Sequence, residues 1–109
     1  MDVTYGDDDL RDLCESERAA KRKFGADCAR KLFARVADLK AASCVLKLPA
    51  GKPHPLKGDR AGQYAIALAG GIRLVIEPNH RPVARKPDGG VNWDAVTKVK
   101  VIEIGNYHE

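Results

Sequence analysis

A chain of 109 residues can bury one modest core, and a hydrophobic content of 44% is that of a soluble globular protein, so one domain over 1–109 is expected. The formal net charge of +4 is unevenly spread: residues 1–17 carry seven acids and one base, 18–35 seven bases and one acid, 36–75 six bases and two acids, and 76–109 five of each. This excludes a uniformly basic nucleic-acid coat and leaves a basic middle.

Taken in chain order, Val3 to Tyr5 predicts a short opening strand. The aspartates of Gly6-Asp7-Asp8-Asp9 can cap a helix and complement its dipole, and Leu10, Leu13 and Cys14 follow at helical spacing. Gly25 interrupts the charged run that begins at Arg18, and Asp27 starts a second helix reaching about Ala42. Along it Cys28, Leu32, Val36 and Leu39 fall within roughly 80° at 100° per residue, a narrow apolar stripe. The cations of this region, Lys21, Arg22, Lys23, Arg30, Lys31 and Arg35, read as a solvated helix face or as a track for phosphates.

Pro49, Pro53 and Pro55 then forbid helix and mark a loop that carries His54. A second group of cations, Lys47, Lys52, Lys57, Arg60 and Arg73, belongs to this loop and the strands beside it. Gln63 to Leu68 alternates large Tyr64, Ile66 and Leu68 with small Ala65 and Ala67, the pattern of a half-buried strand in which Tyr64 packs inward. Ala69-Gly70-Gly71 predicts a hairpin turn, and Ile72 to Ile76 the return strand, with Arg73 and Val75 on the face opposite Ile72, Leu74 and Ile76. Residues 79–90, with two prolines and a Gly-Gly, form a surface excursion; 92–96 suggest a brief helical turn, and Thr97 to Ile104 the last strand. Two helices ahead of an antiparallel sheet is an α+β arrangement.

Chain ends are usually frayed and chemically dull, so a last strand that delivers Tyr107 and His108 marks both as site candidates. The start is acidic rather than leader-like, and the most apolar stretch, 64–76, is broken by Gly70, Gly71 and Arg73, so a cytoplasmic protein without a membrane segment is expected. Cys14, Cys28 and Cys44 are odd in number and lack CxxC spacing, which favours buried free thiols. Three scattered histidines give no metal-ligand spacing, no nucleophile elbow is present, and Gly70-Gly71 suits a hairpin better than a phosphate loop. No metal and no cofactor are therefore expected. What survives is an acid/base site facing a polyanion. RNA supplies its own nucleophile, the 2′-hydroxyl, so scission needs a proton acceptor there, cations around the phosphate and a donor for the leaving 5′-oxygen.

Three segments, His54-Pro-Leu-Lys57-Gly58-Asp59-Arg60-Ala-Gly62-Gln-Tyr64, Gly71-Ile-Arg73-Leu74-Val75-Ile76 and Ile104-Gly-Asn106-Tyr107-His108, together resemble the RelE/ParE toxin superfamily, specifically its HigB-like plasmid maintenance killer branch. The resemblance implies two N-terminal helices packed on a small curved antiparallel sheet. It also implies the toxin of a type II toxin–antitoxin system, an endoribonuclease that cleaves mRNA, often on the ribosome, and so inhibits translation. The implied partners are a HigA-like helix-turn-helix antitoxin, mRNA and the ribosome, with operator DNA reached only through the antitoxin complex. The family's loop histidine and C-terminal acid-tyrosine-histidine cluster correspond to His54, Tyr107 and His108, and Asn106 stands where the family carries an acid. A neutral amide can orient a partner but cannot accept a proton.

On this reading His108 or His54 accepts the 2′-hydroxyl proton, and the other histidine or Tyr107 protonates the leaving group; a reference pKa of about 6.5 suits histidine to either role. Arg73 stabilises charge on the phosphate or makes a cross-strand ion pair, while Lys57, Arg60 and Asn106 hold the RNA. A ParE-like gyrase inhibitor or a non-catalytic antitoxin-binding module is the alternative, since membership of a superfamily does not select a target.

Overall fold

The computed structural model describes residues 1–106, which form five strands and three helices. In chain order these are β1 (Asp2–Tyr5), α1 (Asp8–Glu15), α2 (Glu17–Phe24), α3 (Ala26–Ala41), β2 (His54–Pro55), β3 (Tyr64–Ala67), β4 (Arg73–Pro78) and β5 (Lys98–Gly105). The strands make one sheet in the order β1-β5-β4-β3-β2, with the helices packed against it. The α+β class read from the sequence is the class observed.

Two features differ in detail from the sequence expectation. The expected first helix is two helices, broken at Ser16, whose extended backbone ends α1 and whose Oγ accepts the Ala19 N–H at 3.1 Å to cap α2. Serine competes with the helix through such side-chain bonds, so an apolar periodicity that runs across it does not reveal the break. The sheet is also mixed, because β1 runs parallel to β5, with Asp2 opposite Lys98 and Tyr5 opposite Val101. Parallel partners need a long crossover, here nearly the whole chain, and local pattern carries no register for it.

The stripe on α3 faces the sheet as expected: Cys28, Leu32, Val36 and Leu39 are all buried. They pack with Leu13 and Cys14 of α1 against Tyr64, Ile66, Leu74, Ile76, Val99, Val101 and Ile104. All three cysteines are buried and free. The β3–β4 hairpin closes on Gly70 and Gly71 at φ 62° and 82°, with the Ile72 N–H donating to the Ala69 carbonyl at 3.1 Å. Two consecutive positive φ values are the type I′ turn that matches strand twist, and glycine adopts them without a Cβ penalty.

A bulge in β5 controls what its side chains do. Val75 lies opposite Glu103, but Ile76 lies opposite Val101, so Ile102 is an extra residue. Strict alternation from Val99 and Val101 would turn Glu103 into the core and Ile104 out of it. The extra residue resets the period: Ile104 is buried among the helices, and Glu103 emerges on the other face.

The excursion is anchored at its neck. The Asn79 N–H donates to the Lys98 carbonyl at 2.8 Å, and His80 Nε2 accepts the N–H groups of Thr97 at 3.0 Å and Lys98 at 3.2 Å. His80 is thus a structural acceptor. Further out, the Asn92 N–H meets the Ala84 carbonyl at 2.9 Å, and Trp93 packs on Tyr64 with ring centroids 4.7 Å apart.

The Cys14 thiol is pushed up to about 11 from 9.0, first by burial and then by the neighbouring Glu15 carboxylate. Between those two values the folded protein keeps a proton that the unfolded chain releases, so stability falls as pH rises through that window. Urea-unfolding midpoints measured from pH 8 upward should fall with a slope that Cys14→Ala reduces; an unchanged slope in the variant contradicts this.

Candidate functional site

The sheet has a second face, which the helices leave uncovered. Leu56, Ala65 and Val75 are buried there with Ile102 beside them, a small apolar floor separate from the main core. Residues paired directly across antiparallel strands point to the same face, and His54 pairs with Ala65, Ala65 with Val75, and Val75 with Glu103. One row across four strands therefore runs from a histidine to a carboxylate over an apolar middle. The next row is Ala67, Arg73 and Gly105, which puts Arg73 on the same face. Arg73 stands two strand spacings, about 10 Å, across the sheet from His54 and about 7 Å along it.

His54 is held from three directions. Gly51 docks on β3, where its carbonyl accepts the Ala67 N–H at 2.7 Å, and a Cβ at this glycine would stand 2.5 Å from Ile66 Cγ2. Strand β2 then pairs His54 and Pro55 with Ala65 and Tyr64. Between these points Lys52 adopts φ 47°, a left-handed conformation that costs a non-glycine residue about 1–2 kcal/mol. Its carbonyl lies 3.0 Å from His54 Nδ1. A carbonyl only accepts, so Nδ1 carries the proton and donates it, which makes Nε2 the acceptor nitrogen of the neutral ring.

Among the basic candidates, Lys57 is exposed. Arg60 reaches across the open face to Glu103 at 2.5 Å and ties the 56–63 loop to β5. A phosphate held by Arg60 therefore shares the guanidinium with a carboxylate. Among the described residues no carboxylate lies within ion-pair distance of Arg73, so the cross-strand pair considered for it is not formed. Tyr64 is buried, with its phenol pKa raised by that burial, and belongs to the core. The helical cations lie in another layer, where Lys21 pairs with Glu17, Arg30 with Asp27 and Arg35 with Asp38.

Asn106 is exposed just beyond β5, and its amide lies beside the hairpin, 3.6 Å from where a Cβ of Gly71 would stand. Tyr107 and His108 lie outside the described residues. The site residue that the sequence reading missed is Glu103. Its signal was present: a glutamate at a core-phase position of an apolar strand calls for a bulge or a partner. Among the described residues no group of histidine, cysteine and acidic side chains is arranged to hold a metal ion, and no helix is long and apolar enough to cross a membrane.

The chain matches no protein-family model and no curated protein sequence. Solved structures do share its fold. A YoeB/ParE toxin from Agrobacterium tumefaciens superposes with a TM-score of 0.61 at 18% identity, covering 99% of this chain and 100% of that one. A YoeB dimer from Staphylococcus aureus superposes with a TM-score of 0.60 at 15% identity, covering 100% and 98%. At these identities the likeness is one of fold.

The Lys52 carbonyl requires neutral His54 to be the Nδ1–H tautomer. Long-range nitrogen–proton correlation spectra of the imidazole should show Nδ1 protonated and Nε2 pyridine-like; a dominant Nε2–H form contradicts the geometry.

Proposed function

We propose that this chain is the toxin of a type II toxin–antitoxin pair, HigB-like in its site residues, and that it is a metal-independent endoribonuclease cleaving mRNA on the ribosome. The observation that carries this reading is the open sheet face on which His54, Arg73 and Glu103 stand together, with Nδ1 of the histidine engaged by a backbone carbonyl. The fold shared with the two bacterial toxins supports it.

In the proposed reaction a histidine, His54 through Nε2 or His108, removes the 2′-hydroxyl proton. The 2′-oxygen attacks phosphorus, the bond to the 5′-oxygen breaks, and the other histidine or Tyr107 protonates that oxygen. The products are a 2′,3′-cyclic phosphate and a 5′-hydroxyl. Arg73 neutralises charge that builds on the phosphate in the transition state, where such a contact is most effective. Lys57 and Arg60 hold flanking phosphates, and Asn106 contributes a neutral hydrogen-bonding group. Glu103 acts on Arg60, positioning the loop that follows His54, and supplies a carboxylate to a site whose C-terminal acid is replaced by Asn106.

An antitoxin of the HigA-like helix-turn-helix kind is the proposed partner, covering the basic open face with an acidic or amphipathic segment and carrying any contact to operator DNA.

Cleavage of ribosome-bound mRNA by the purified protein tests the assignment. His54→Ala and His108→Ala should each lower the rate about 10²–10⁴-fold, the scale of general acid/base catalysis. Arg73→Ala should lower it about 10²–10³-fold. Undiminished cleavage in all three variants refutes the site, and inhibition of supercoiling without RNA cleavage favours the ParE-like alternative.

A further inference from the structure

The loop that carries Lys57 and Arg60 has a second side. Pro55, Leu56, Ala61 and Gly62 line a cleft of about 230 Å³ together with Lys86, Gly90, Val91 and Trp93 of the excursion. This volume lies below the roughly 300–1,000 Å³ of sites for drug-sized molecules, and suits one planar ring system rather than a cofactor. The lining is mainly apolar. Trp93 is half-buried, and its ring meets Tyr64 at 59°, so one part rests on the core while another lines the cleft.

Lys86 is the one charged residue that lines the cleft; Arg85, beside it in sequence, donates to the Gly89 carbonyl at 3.0 Å, and Arg60 of the loop is turned away to Glu103. Lys86 and Asp88 approach only to 3.8 Å and are both largely exposed, so that pair is weak and leaves the ammonium accessible to an anion. An apolar slot with an indole wall and one accessible ammonium accepts a flat ring attached to a phosphate. Single-stranded nucleic acid is bound in this way, by stacking of bases on aromatic side chains along a positive groove.

We propose that this cleft is a nucleobase subsite: it receives a base of the RNA adjacent to the scissile phosphate, with Trp93 as the stacking surface and Lys86 on the neighbouring phosphate. The proposal rests on the ribonuclease reading. Pro55 follows His54 directly but, like its partner Tyr64, belongs to the helix side of the edge strand β2, so an RNA strand leading from His54 to the subsite passes over the β2 edge, and the excursion that forms the far wall becomes an element of substrate selection.

Trp93 is the only tryptophan in the chain, so its emission reports on this cleft. The full-length protein is titrated with a labelled 2′-deoxy tetranucleotide, which cannot be cut, while tryptophan emission and label anisotropy are followed together. Emission should be quenched saturably with the same midpoint as the anisotropy change. A fully abasic tetramer of equal charge should leave it unchanged, and Lys86→Glu should weaken binding several-fold without shifting the melting temperature. Anisotropy-detected binding with unchanged emission, equal quenching by the abasic tetramer, or no binding by either readout overturns the subsite. Base-dependent quenching by a protein that leaves ribosome-bound mRNA uncut upholds the subsite and refutes the ribonuclease reading instead.

Discussion

Everything on the open face depends on how β4 pairs with β5. β5 is an interior strand, bonded on one side to β1 and on the other to β4, and it must satisfy two faces at once. Its sequence, Lys-Val-Lys-Val-Ile-Glu-Ile-Gly, changes phase midway. Without the bulge at Ile102 either Glu103 enters the core or Val99 and Val101 leave it, and an unpaired buried carboxylate costs several kcal/mol. The bulge lets Val99, Val101 and Ile104 all remain buried while Glu103 reaches the side where His54 and Arg73 stand. The core thus determines the chemistry of the opposite face.

That face is held in place by elements far apart in the chain. β2 is only two residues long and would be weak alone, so the His54 loop depends on added fastenings: Gly51 docked on β3, the Leu56 N–H bonded to the Gln63 carbonyl at 2.9 Å, and Arg60 bonded to Glu103. The left-handed Lys52 is the strained member, and it is the residue whose carbonyl engages the histidine ring. Strain of this kind persists where the surroundings over-determine the backbone and collects at functional sites.

Much of this was legible in the chain. The α3 stripe, the Gly-Gly hairpin and the opposite facing of Arg73 and Leu74 follow from periodicity and turn chemistry, which are local. The break at Ser16, the parallel pairing of β1 and the outward turn of Glu103 were not, because each depends on a competition that tertiary packing settles. His54 was named as a candidate from a loop and a resemblance; its engaged nitrogen required the position of a carbonyl two residues away. The cleft behind the loop was hidden for the same reason, since Pro55 and Trp93 meet only when the excursion folds back over Tyr64.

In the proposed reaction the open face cuts RNA by using the substrate's own 2′-hydroxyl. The most direct measurement compares an mRNA cut by the purified protein with the same RNA carrying one 2′-deoxy nucleotide on the 5′ side of the cut, and identifies the new ends. This single substitution should abolish scission at that bond, and the unmodified RNA should yield 2′,3′-cyclic phosphate and 5′-hydroxyl ends. Scission of the deoxy-substituted bond, or products bearing a 5′-phosphate, would contradict it.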